Sequence, residues 1–182
     1  MIITGIAHPP QRLRERNLVP SGELVYLARK ALCEYDATHL ITSLAPGWEQ
    51  ALAKAAIELE IPYTVAVPYP GRDASWDHGL RRFYLDLMAR SAQVCRISEC
   101  YTETALTVCR QWRADRSELL LALWEYEFQG DLFATLSYAT RQGIQVVNLW
   151  QDWERLSGLR RRQPAYTAAD KKTGARIFEC KT

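Results

Sequence analysis

A repeated unit constrains this chain more than any other feature: a short apolar run, a loop of small residues, a stretch with helical spacing, and a further apolar run. Residues 41–62, ITSLAPGWEQALAKAAIELEIP, carry it most clearly. Ile41 ends one apolar run, Ser43-Leu44-Ala45-Pro46-Gly47 forms the loop, and Leu52, Ala55, Ala56 and Leu59 recur at helical spacing. Ile61-Pro62 then opens the next run. Such a loop either cradles a ligand or only turns the chain.

The unit recurs along the sequence. Strands are expected at Met1–Gly5, His39–Thr42, Tyr63–Val67, Gln93–Ile97, Glu118–Trp124 and Ile144–Leu149. Helices are expected at Ser21–Tyr35, Trp48–Glu60, Trp76–Arg90, Thr102–Arg116 and Asp131–Gln142. Ser21 is suited to cap the first helix and Gly143 to end the fifth. Strands alternating with helices predict an α/β, Rossmann-like, doubly wound fold: a mainly parallel sheet of about six strands, with helices on both faces. Residues 1–150 read as that domain and 151–182 as an appended C-terminal helix and tail. The tail holds the basic run LRRRQ, with arginines at 160–162, and a last apolar run at Arg176–Cys180 that reads as a strand.

Charge and composition exclude more than they assign. With 23 basic and 21 acidic residues among 182, the net charge is +2, a thin electrostatic basis for nucleic acid. No apolar run is long enough to span a bilayer, no signal peptide is evident, and a cytoplasmic protein is expected. Five cysteines with no CxxC pair suggest reduced thiols; no metal or cofactor is expected. Neither GxGxxG nor GxxxxGK(S/T) occurs, so a standard dinucleotide fingerprint and a P-loop are both unsupported.

In an open α/β sheet, ligands bind beyond the carboxyl ends of the strands. The loops expected there are TGIAHPPQR, SLAPGWEQ, PYPGRDASW and EYEFQGDL, and they concentrate glycine, polar and aromatic residues. The opposite edge has plainer turns, such as Tyr35-Asp36-Ala37. Helix N-termini at such an edge favour anions, through free N–H groups and the helix dipole. Gly5, Gly47, Gly71 and Gly130 are expected to permit close backbone approach, although each also suits an ordinary turn.

These loops resemble those of the SLOG superfamily over about residues 1–150, in particular its YpsA-like branch. The superfamily also includes the Lonely Guy phosphoribohydrolases and the DNA-processing protein A family. Thr4-Gly5-Ile6-Ala7-His8-Pro9 is similar to the branch's TGHRP, and residues 43–62 to its GMALGVDQWAAEAALELGIP. Residues 68–76 are similar to P-(F/Y)-x-GQExxW, and CRQWRADRSELLLALWEY, residues 109–126, to RNRWMVDRSDLLIAVWDG. The resemblance implies a nucleotide-type ligand at the loops. The chain departs from the pattern at four places: Ser43 replaces the first loop glycine, Glu49 stands for Asp, Cys109-Arg110 for Arg-Asn, and Gly130-Asp131-Leu132 for Gly-Gly-Thr. A threonine hydroxyl is thereby lost. Asp131, beginning a helix, is expected to satisfy free N–H groups itself and so to fill the anion site with the protein's own charge.

The candidate ligand-binding residues are Thr4, Gly5, His8, Ser43, Gly47, Glu49, Gln50, Gly71, Arg72, Trp76, Trp124, Gly130 and Asp131. His8 suits phosphate contact or acid–base chemistry, or is a surface histidine. Glu49 and Gln50 suit ribose or base, or Glu49 merely complements the helix dipole. Arg72 suits a phosphate clamp, or is simply exposed. Trp76 suits base stacking or anchors its loop, and Trp124 borders the cleft or packs in the core. Gly47→Val is expected to abolish binding and leave folding intact. No nucleophile is evident: Ser43 lies in no GxSxG elbow, and the PGGxGTxxE pattern of the Lonely Guy enzymes is absent. The reading that follows is binding of a nucleotide or nucleotide-like phosphate. N-glycosidic hydrolysis of a nucleoside phosphate and association with DNA are the alternatives. A small-molecule partner is expected and nucleic acid or membrane is not; self-association into a homo-oligomer is compatible with the sequence.

Overall fold

The computed structural model describes residues 1–13 and 19–158. Its elements alternate throughout: β1 (Ile2–Ala7), α1 (Gly22–Glu34), β2 (His39–Thr42), α2 (Trp48–Glu58), β3 (Tyr63–Val67), α3 (His78–Ala89), β4 (Gln93–Arg96), α4 (Ala105–Ala114), β5 (Leu119–Leu123), α5 (Gly130–Arg141), β6 (Gln145–Asn148) and α6 (Trp150–Ser157). The six strands form one sheet in the order β4-β3-β2-β1-β5-β6, and every pairing is parallel. This is the expected Rossmann-like α/β architecture.

The burial pattern of β5 shows how the sheet is covered. All five residues are buried, as a central parallel strand requires. Leu119, Leu121 and Leu123 face the larger core with α1, α2, α3 and α6, whereas Leu120 and Ala122 join Leu136 and Ala139 of α5 on the other face. Helix α4 lies beside α5 and against β3. Trp150 and Trp153 of α6 are buried in the larger core. The expected basic run at 160–162 and the expected strand at 176–180 lie outside the described residues.

The chain leaves β1 in both directions across the sheet. β2, β3 and β4 lie to one side, β5 and β6 to the other, so the topological switch point falls between β1 and β5. A crevice outside the carboxyl ends of these two strands is where such a sheet takes ligands. The segments 5–10, 43–49, 69–76 and 125–131 lie toward that edge, as their unusual composition predicted, with residues 5–7 forming the end of β1.

One expected boundary differs in an informative way. β1 continues through Gly5 to Ala7, with Gly5 opposite Leu121. Gly5 does not end the strand. A Cβ there would lie 2.2 Å from Leu52 Cδ1 and 3.2 Å from Trp48 Nε1, and the Trp48 indole donates to the Leu121 carbonyl at 3.1 Å. The missing side chain lets α2 settle onto the sheet. Gly5 is therefore a packing residue, and its space is already taken by α2.

Candidate functional site

A cavity of about 550 Å³ opens at the switch point. Its wall comes from the end of β1 (Ile6 to Pro9), the β2–α2 connection (Ser43, Ala45, Glu49), Arg72, helix α4 (Leu106, Cys109, Arg110, Arg113) and the β5–α5 connection (Glu127, Gln129 to Leu132). The volume suits one small organic ligand.

The β2–α2 loop is built from inside by its own helix. Glu49, in the first turn of α2, is buried, and its Oε2 accepts from Ser43 N at 2.7 Å and Ser43 Oγ at 2.8 Å. Thr42 Oγ1 and Ala45 N approach the same oxygen at 3.3 and 3.5 Å. Gln50, fully buried, donates from Nε2 to the Leu44 carbonyl at 3.3 Å. Both side chains thus hold the loop. The expectation that they read ribose or base gives way to this for Gln50, which does not reach the cavity wall.

Gly47 is likewise a loop-building residue. Its φ is +87°, and a Cβ would meet Pro10 Cγ at 3.3 Å and Leu13 Cδ1 at 3.7 Å. The side chain it lacks would face the first loop and not the cavity. Gly47→Val therefore acts on folding before it acts on any ligand, which corrects the expectation drawn from sequence.

Arg113 was missed by sequence reasoning. It lies on the buried stripe of α4 with Ala105 and Cys109, and its Nη1 meets Glu49 Oε2 at 2.9 Å, the two side chains being 3% and 6% exposed. The same nitrogen donates to the Gly5 carbonyl at 3.1 Å and approaches Thr4 Oγ1 at 3.4 Å. Thr4 in turn donates to the Ile41 carbonyl at 2.8 Å, so it is a second buried brace. Burial pushes the Glu49 carboxyl up, but Arg113, Arg72 and the Ser43 hydrogen bonds together hold it below its ordinary value. The signal was present in the spacing: residues 105, 109 and 113 recur at i, i+4, i+8, and an arginine on an apolar stripe demands a buried acid.

The opposite wall is more open. Asp131, in the first turn of α5, turns its carboxylate to Arg110 at 2.9 Å; their side chains are 73% and 23% exposed. The helix has no side-chain cap. Asp131 therefore does not satisfy the free N–H groups, contrary to expectation, because a guanidinium one turn before Arg113 on α4 attracts it instead. Gly130 has φ +79°, and a Cβ there would meet nothing within 4 Å. Arg12 pairs with Glu127 across the mouth, from the first loop to the β5–α5 loop.

His8 is buried at the end of β1. Its Nε2 accepts from the Glu125 N–H at 3.0 Å, and its ring meets Trp150 edge-on at 5.8 Å. With Nε2 accepting, the neutral ring carries its proton on Nδ1. Burial lowers its pKa, as does Arg12, while Glu127 raises it; the net direction is down from 6.5. Arg72 donates to the Ser43 carbonyl at 2.9 Å and lies over Trp76, 5.5 Å from the ring centroid.

Of the sequence candidates, His8, Ser43, Glu49, Arg72, Gly130 and Asp131 meet in this cavity. Thr4, Gly5, Gly47 and Gln50 form the layer behind it. Trp76 supports Arg72 and packs on Tyr84. Gly71 lies in a neighbouring groove with Tyr69 and Val94. Trp124 is buried against Tyr126, Phe128 and Phe133, and is not among the residues that line the cavity. Among the described residues, no group of three or more His, Cys, Asp or Glu side chains is placed to hold a metal, and no helix is long and apolar enough to cross a membrane.

No family model matches the sequence, and no curated protein sequence matches it. Among solved structures, the chain is similar to the X-ray structure of DNA processing protein A (DprA) from Streptococcus pneumoniae, with a TM-score of 0.57 at 13% identity. The likeness covers 98% of this chain and 62% of that one, so the chain spans less than two thirds of the other's length. At that identity, what the two chains are shown to have in common is the Rossmann-like fold.

Proposed function

We propose that this chain is a SLOG-type protein of the YpsA-like kind that binds a nucleotide or nucleotide-like phosphate in the cavity at the β1/β5 switch point. One observation carries the reading: at the carboxyl edge, the Arg72 guanidinium and the open N-terminus of α5 converge on one cavity, whose wall also holds Arg110, paired with the exposed Asp131. Guanidinium forks and free helix N–H groups are the donors that phosphate oxygens prefer. Motif resemblance and fold likeness converge here, since the DNA-processing protein A family belongs to the superfamily that the loops resemble.

Binding is favoured over hydrolysis by the state of the buried acid. Glu49 stays ionised and saturated with donors, so it has no proton to give a leaving base. Association with DNA is the second reading, favoured by the similarity to a protein named for DNA processing. A thermal-shift series with nucleosides, nucleotides and a single-stranded oligonucleotide tests all three. Binding at a hundredfold excess over Kd stabilises by about 2.7 kcal/mol, and Arg72→Ala is expected to abolish that gain. Release of free base would establish hydrolysis. No stabilisation by any phosphate ligand would remove the binding proposal.

A further inference from the structure

Charges in the cavity wall cancel in pairs. Three arginines, Arg72, Arg110 and Arg113, face three carboxylates, Glu49, Glu127 and Asp131. Arg113 is consumed by Glu49, and Arg110 by Asp131. Glu127 is held by Arg12 from the rim. Arg72 alone among the wall cations has no carboxylate at ion-pair distance among the described residues. Its guanidinium spends one N–H on the Ser43 carbonyl and rests on the Trp76 face, which leaves further donors of its fork for a guest.

We infer that the site selects a phosphoryl group bearing a single negative charge, a phosphodiester, over the doubly charged phosphomonoester. The inference rests on the nucleotide-binding reading above. One guanidinium without a carboxylate at ion-pair distance matches one negative charge, and two non-bridging oxygens suit its planar fork. At neutral pH a phosphomonoester carries most of a second charge. In this cavity that charge faces the carboxylates of Asp131 and Glu127 with no unpaired cation among the described residues to offset it, and solvent at the open wall screens the repulsion only in part. An uncharged nucleoside leaves Arg72 without a counter-charge. The cavity volume fits a small phosphodiester, such as a cyclic or dinucleotide group, in preference to a polymer strand, for which the near-neutral chain offers little attraction.

Calorimetric titration of the intact protein at fixed salt and neutral pH, with adenosine, cyclic AMP, AMP, the dinucleotide ApA and a longer oligoadenylate, tests it. Cyclic AMP and ApA are expected to bind at least about tenfold more tightly than AMP, with adenosine weakest. In Asp131→Asn, affinity for AMP is expected to rise by about tenfold and that for cyclic AMP to change less, which narrows the preference. AMP binding as tightly as cyclic AMP, or an Asp131→Asn variant with the preference intact, overturns the charge selection while leaving nucleotide binding in place. No binding of any of the five overturns the nucleotide reading itself. An oligoadenylate that binds far more tightly than ApA, with steep salt dependence, overturns the assignment to a small ligand.

Discussion

Helix α4 sends two arginines, one turn apart, to carboxylates in the first turns of two different helices. Arg113 reaches Glu49 at the start of α2, and Arg110 reaches Asp131 at the start of α5, each at 2.9 Å. The pairs are chemically alike and differ in burial. The first is sealed beneath the β2–α2 loop, where four donors besides Arg113 surround Glu49 Oε2. The second lies in the open wall, with Asp131 mostly exposed. Removing one partner of a sealed pair leaves a bare charge in a medium that solvates it poorly; removing one partner of an open pair leaves a charge that water solvates. The same interaction is a structural rivet on one side of the cavity and a displaceable contact on the other.

The largest effect expected from this contrast is at the sealed pair. Arg113→Ala should destabilise the fold by about 3–5 kcal/mol, since Glu49 is left buried without its cation. Arg113→Met with Glu49→Gln should recover much of the loss, because Gln retains an acceptor for Ser43 and no bare charge remains. Denaturant unfolding of the two single variants and the double gives the coupling directly. Additive losses would show that the pair is not a unit. The pH dependence has a fixed sign: with Glu49 held below its ordinary 4.5, the stability it contributes is present above pH 4.5 and is lost as pH falls through the lowered folded value. The Glu49→Gln variant should lack that acid slope.

Next in size are the glycines that let the sealed side close. Gly47→Val places a β-branched residue at φ +87°, against Pro10, and is expected to cost about 1–3 kcal/mol. Gly5→Ala forces Leu52 aside and should cost a similar ~1–3 kcal/mol. Ligand affinity of the folded fraction should stay within a few-fold of wild type for Gly47→Val. A stable variant that no longer binds would restore Gly47 to the ligand-contacting set.

His8 tests the boundary between the two regions. Protonation of Nε2 breaks its bond from the Glu125 N–H, which fixes the start of the β5–α5 loop. Its folded pKa is lowered, so the neutral ring's contribution is present above pH 6.5 and declines as pH falls below that value toward the folded pKa. One hydrogen bond is at stake, so the effect should be about 0.5–1.5 kcal/mol. Comparing His8→Phe with wild type between pH 7.5 and 5.5 should show the slope only in wild type. Equal slopes would place the titrating group elsewhere.

The fold was legible because strand alternation, helix spacing and loop composition all act locally. Runs such as 119–123 announce a buried strand by themselves, and the loops of one edge share a composition. The site was legible only in part. Arg72 and Asp131 directly follow glycines in edge loops and His8 stands in the first of those loops before two prolines, which is where a loop scan looks. Arg113 stands where the branch pattern has Met, inside a helix, and its partner is 64 residues away in sequence (113 − 49). A loop scan does not reach it. Gly5 and Gly47 were read as making room for a ligand, yet the room is filled by Leu52 in one case and bordered by Pro10 in the other. Only packing distinguishes those uses.

The smallest effect on stability is expected at the open pair. Asp131→Gly with Leu132→Thr restores the Gly-Gly-Thr triplet of the resembled pattern. The loss of an exposed ion pair should cost only about 0.2–1 kcal/mol and should shrink further in high salt. Affinity for a nucleotide should move in the opposite direction. Arg110 is released toward the cavity, a threonine hydroxyl is added at its wall, and a carboxylate that repels phosphate is removed. Binding should strengthen by about 1–3 kcal/mol, through one new charge-assisted hydrogen bond and the removal of one repulsion. Parallel denaturation and titration at two salt concentrations separate the two quantities. If the double variant lost several kcal/mol of stability, the Arg110–Asp131 pair would be as structural as its buried counterpart. If it bound a nucleotide no better than wild type, the phosphate would sit against Arg72 and the β2–α2 loop, and the α5 N-terminus would have no part in holding it.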